Sequence, residues 1–138
     1  MTIDKIVAIS GKPGLFEILS HSKGGIIVRS LIDNKRFPVN AVQNVSILSD
    51  IAIYTYEEEV PLRTIFMSIA EKENGKKTIN HKESNDTLLS FMSEVLPDFD
   101  DERVYASNVK KIVQWYNILV NAKFDFTTLE EKEETSEE

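Results

Sequence analysis

The chain contains no cysteine among its 138 residues. That removes disulfides, thiol nucleophiles and thiolate metal sites together. A reducing cytoplasm is the expected setting for such a chain. Histidine is nearly as scarce, with only His21 and His81. They are far apart and lack an H-x-x-x-H partner, so no metal site is expected and both read as surface histidines. No apolar run approaches the roughly 20 residues needed to span a bilayer. The opening MTIDKIVAIS has no basic flank, long apolar stretch or small-residue cleavage site, so no secretory signal is expected. Catalytic signatures are missing too. There is no G-x-S-x-G elbow, and no G-x-x-x-x-G-K-[ST] phosphate loop.

Hydrophobic residues make up 41% and charged residues 28% of the chain, ordinary values for a soluble globular protein. The net charge of −7 is concentrated at one end. From Asp125 through Glu130, Glu131, Glu133, Glu134, Glu137 and Glu138, seven acids face one Lys132, a net of −6 over residues 124–138. Residues 1–123 therefore carry only about −1, and the first 52 carry +2.

The first half reads as short strands. Runs at 6–10, 15–20, 25–31, 36–39, 45–48 and 51–56 are rich in Ile, Val, Phe and Tyr. Turn chemistry separates them at Lys12-Pro13-Gly14, His21 to Gly25 and Asp33-Asn34-Lys35. Five or six such strands can curl into a small barrel whose interior is filled by alternating side chains. Within ISGKPGLFEIL, Pro13 and Gly14 suit the two central positions of a type II turn. A G-x-x-G clamp of the KH kind would need flanking helices, and Pro13 removes one N–H donor.

After Glu57-Glu58-Glu59 the period changes to that of a helix. Pro61 suits a first helical turn, and the three carboxylates favour the helix dipole. Asn74-Gly75 is a stop signal. Ser84 to Asp86 can cap a second helix ended by Pro97, and Ser107 or Asn108 a third. Val109, Ile112, Val113, Tyr116, Leu119 and Val120 line one face of that third helix, with Trp115 beside the stripe. The acidic run from Asp98 to Glu102 lacks the Gly and Glu of a calcium loop, since Arg103 and Val109 stand in their places.

The expected fold class is therefore α+β: a small SH3-like β-barrel over 1–55, a three-helix unit over 56–123 and a disordered acidic tail over 124–138. With no Gly- or Ser-rich linker between them, the first two parts are expected to pack together.

The stretches GKPGLFEIL, GGIIVRSL, EEEVPL and VLPDFDDERVYASNVKKIVQWYNIL, followed by an acidic tail, resemble an uncharacterised bacterial family. That resemblance covers nearly all of residues 3–122. It implies an SH3-like N-terminal domain and a helical C-terminal domain, each of unknown function, and it transfers no catalytic or binding residue.

The functional expectation is a non-enzymatic binding or adaptor module for a protein partner, with no cofactor. Phe16 and Trp115 are the candidate protein-interface or interdomain residues. The alternative is RNA or DNA binding through basic loops of the barrel, with Lys12, Arg29, Lys35 and Arg36 as candidate contacts. An excess of +2 is far from the basic stripe of a dedicated nucleic-acid binder. A homodimer through the third helix or a barrel edge is an open alternative.

Overall fold

In the computed structural model of the chain, residues 3–40, 44–126 and 129 are described. Five strands follow one short 3-10 turn: β1 Ile6–Ile9, β2 Lys12–Ser22, β3 Gly25–Ser30, β4 Arg36–Asn40 and β5 Val45–Ile47. They form one antiparallel sheet in the order β4-β3-β2-β1-β5. Among the described residues β4 and β5 share no ladder, so the sheet is open rather than a closed barrel. A second, two-stranded sheet pairs β6 Ala52–Tyr54 with β7 Glu59–Pro61. Three helices follow: α1 Leu62–Glu73, α2 Asn85–Val95 and α3 Ala106–Asn121. The class is α+β.

Period-two alternation gives the five-stranded sheet two apolar faces. On one face Val7, Ile9, Phe16, Val28 and Val39 are buried among Ile18, Ile26, Phe37, Val45 and Ile47. Every member of that cluster belongs to the five strands, so the sheet buries this face by curling on itself. On the other face Ile6, Leu15 and Leu31 join Leu62, Ile65, Phe66 and Ile69 of α1, Leu88, Phe91 and Met92 of α2, and the buried stripe of α3. Sheet and helices therefore share one core.

Local signals explain most element ends. Asn74 closes α1 in the left-handed conformation, φ 57°, as an Asn-Gly pair permits. The Ser84 side chain accepts the Thr87 N–H at 3.2 Å and caps α2. The start of α3 differs from expectation. Its cap is Tyr105, and Asn108 lies in the first turn, where its side chain accepts the Tyr105 N–H at 2.8 Å. Asn108 thus acts from N3, in the manner of one half of a capping box.

The carboxylate run also differs. Thr55 accepts the Glu57 and Glu58 N–H groups through its hydroxyl, which turns the chain, and Glu59 pairs with Tyr54 in β7. Pro61 ends β7 and stands one residue ahead of α1. The segment expected as a tail from residue 124 is packed at its start. Phe124 and Leu129 are buried, and the Phe126 ring stacks on Tyr116 with centroids 5.1 Å apart. The charge run over 130–138 lies outside the described residues.

Candidate functional site

The β1–β2 connection turns at Ser10-Gly11, because Ile9 pairs directly with Lys12. Gly11 supplies the positive φ, 85°. Pro13-Gly14 is therefore not the hairpin turn. Between Val7↔Phe16 and Ile9↔Lys12 strand β2 spends four residues where β1 spends two, a bulge that holds the Pro-Gly pair. A proline has no N–H for a ladder, so a bulge is one of the few places a strand accepts it. Gly14 has φ 91°, and a Cβ there would lie 2.6 Å from the Ile32 side chain.

This hairpin end faces α3 across a groove of about 600 Å³. Asn108, Lys111, Ile112 and Trp115 recur at i, i+3, i+4 and i+7 and present one side of α3 to it, with Gln114 beside them. Ser10, Gly11, Lys12, Asn44 and Ser46 form the opposite wall, and Ala8, Ile51 and Ile53 the floor. Among the described residues no carboxylate lines the groove. Lys111 is exposed, and among the described residues neither it nor Lys12 has an acidic partner within ion-pair distance. Trp115 is half-buried and packs against the shared core. The groove is thus apolar below, polar at the rim and positively charged.

The other candidate contacts do not gather there. Arg29 donates to Glu17 at 2.7 Å and to Asn34 at 2.9 Å, so its guanidinium is already satisfied. Arg36 lies opposite Arg29 in the ladder, on that same face, and Lys35 is in the exposed loop before β4. Lys12 instead places its ammonium 5.0 Å from the Phe37 ring, on the other face of β4. The four cations therefore form no continuous basic patch. Phe16 is a correction as a surface candidate. It is buried in the curled face, edge-on to Phe37 at 5.5 Å, because that face has its own core. Trp115 does reach the surface, at the groove.

Three features escaped sequence reading. Asn117, on the polar side of α3, accepts the Thr78 N–H at 2.8 Å and donates to the Ile79 carbonyl at 2.9 Å. The Phe124-x-Phe126 pair was masked by its acidic neighbours, although two aromatics two residues apart was the available signal. Tyr105, the residue just before α3, is a large aromatic left 64% exposed.

Acid–base chemistry at the surface is modest. Arg103 binds Asp100 at 2.8 Å and holds its carboxyl below the usual value, while lying 4.3 Å over the Tyr54 ring. The Tyr56 hydroxyl donates to Asp101 at 2.7 Å, which raises its pKa. Burial pushes Tyr116 up to about 12. Asp100 also accepts the Glu102 N–H, so this carboxylate serves its own turn. Among the described residues no group of three or more acidic or histidine side chains is placed to hold a metal ion, and no helix is long and apolar enough to cross a membrane.

The fold and groove define a mixed α+β protein in which a small antiparallel sheet and a three-helix unit share one core. Residues 51–119 match the family described as Domain of unknown function (DUF6852), and residues 3–48 match that described as Domain of unknown function (DUF5606). The chain belongs to this uncharacterised family, the DUF5606 stretch preceding the DUF6852 stretch. Among solved structures it is similar to a solution NMR structure of a protein from Bacteroides vulgatus. The two are 42% identical with a TM-score of 0.75, covering 90% of this chain and 89% of the other. No curated protein matches.

Proposed function

We propose that the protein is a non-enzymatic binding module for a protein partner, and that the groove between the β1–β2 hairpin and α3 is its contact surface. The observation that carries this reading is the groove itself. It offers a half-buried tryptophan on an apolar floor, rimmed by amide, hydroxyl and lysine side chains. Large aromatics anchored in a packed wall are the residues that dominate protein interfaces. The strand order supports an SH3-like reading of the sheet, an incompletely closed barrel: four strands run as a meander and the fifth returns to the first. Such small barrels commonly bind partners at loops on one end.

Nucleic acid is the weaker reading. Arg29 is neutralised by Glu17, and Lys12 stands on the opposite face from Arg36, so a polyanion meets no basic stripe. The experiment is site-specific photo-crosslinking in cells that make the protein. A photoreactive residue at Gln114, in the groove, should give a discrete protein adduct, whereas one at Asn85, on α2, should not. Equal adducts from both positions, or none from Gln114, would sink the proposal.

A further inference from the structure

We infer that the groove takes an acidic peptide segment that carries a large apolar side chain. This rests on reading the groove as the contact surface and adds the chemistry of the occupant.

The argument begins with charge. The chain carries 23 acidic residues against 16 basic ones, yet among the described residues no acid lines this groove. Lys12 and Lys111 stand on its two walls instead. The Lys12 stem leaves the turn with its ammonium over Phe37, and Lys111 projects from an exposed helix position. A ligand carboxylate reaching Lys111 gains a charge-assisted hydrogen bond without displacing an ion-pair partner among the described residues.

The floor sets the second requirement. Ile51, Ile53 and Ile112 line the groove together with Trp115, and burying a leucine-sized or aromatic side chain there removes apolar surface from water on both sides. Gln114 supplies an amide at the rim that matches a peptide backbone. A small anion leaves this floor unused. A nucleic acid would need a longer track of cations than two lysines provide.

The test is an amide NMR titration of the full chain, reading the Lys111, Gln114 and Trp115 signals, including the indole N–H. The probe is a blocked synthetic peptide of glutamates flanking one central leucine. Controls are its all-glutamine analogue and single-stranded oligouridylate. Saturable shifts with the acidic peptide that shrink at high salt are the expected result. Lys111→Glu, at an exposed helical position, should leave the fold intact and weaken binding about tenfold. Equal binding of the glutamine analogue would overturn the acidic preference while leaving the groove as a peptide site. No response to either peptide would overturn both readings. A response to oligouridylate alone would assign the groove to nucleic acid. Signals that move on dilution but not with peptide would place a second copy of the chain there, and overturn the proposal.

Discussion

Tyr116 joins the packing of α3 to its polar contacts. Its ring lies fully buried between Phe66 and Phe126, and its hydroxyl donates to the Lys76 carbonyl at 2.7 Å. Burial holds the phenol neutral and moves its ionisation from 10.0 up to about 12. The folded pKa exceeds the unfolded one, so this side chain's contribution is complete below pH 10.0 and is lost as the pH rises through about 12. Chemical denaturation across that window should show wild-type stability falling more steeply than that of Tyr116→Phe. At neutral pH the same variant should cost about 1 kcal/mol, having lost one buried hydrogen bond. Gly14 gives a second test at this scale. Its φ of 91° is one that other residues adopt only with strain, and a Cβ would press on Ile32. Ile32 is exposed and can swing away, but the backbone term stays. Gly14→Ala should therefore destabilise by about 1–2 kcal/mol in a urea melt.

Among the elements, α3 is the organising piece. One stripe, Val109, Ile112, Val113, Tyr116 and Leu119, is buried in the core. A second side faces the groove, and Asn117 pins the connection between α1 and α2 through Thr78 and Ile79. Asn117→Ala should cost about 1–3 kcal/mol, since two backbone groups lose their partner. Hydrogen exchange should localise the loosening to residues 76–82. The helices and most strands were legible from period and punctuation, since apolar spacing and Asn-Gly, Ser and Pro signals are local. Other features depend on tertiary context. Period-two alternation puts Phe16 and Ile18 on one face of β2, but it cannot say whether that face meets water or a sheet curling over it. Pro13-Gly14 carries a turn signature that a bulge satisfies equally well, and the register with β1 decides between them. Trp115 was legible as a residue off the main stripe. The groove beside it was not, because its other wall comes from β1, β2 and β5, far away in sequence.

At the scale of the molecule, two family stretches meet in one hydrophobic core. Ile3, Ile6, Leu15, Leu31 and Leu48, from the first stretch, pack with side chains of all three helices. Separating the stretches would expose both sides of that core. The full chain should unfold in one cooperative transition, with fluorescence of Trp115 and far-ultraviolet circular dichroism coincident. Residues 1–50 and 51–138 expressed apart should each lack a cooperative melt. The shared core also fixes the groove, because one wall belongs to each stretch and neither can move without repacking. The most direct measurement of the central claim is amide shift mapping of the full chain against the partner captured by cross-linking at Gln114. The account predicts shifts centred on residues 10–14, 44–46 and 108–115, with binding weakened by Lys111→Glu. Shifts centred instead on Arg29, Lys35 and Arg36, with the groove silent, would contradict it.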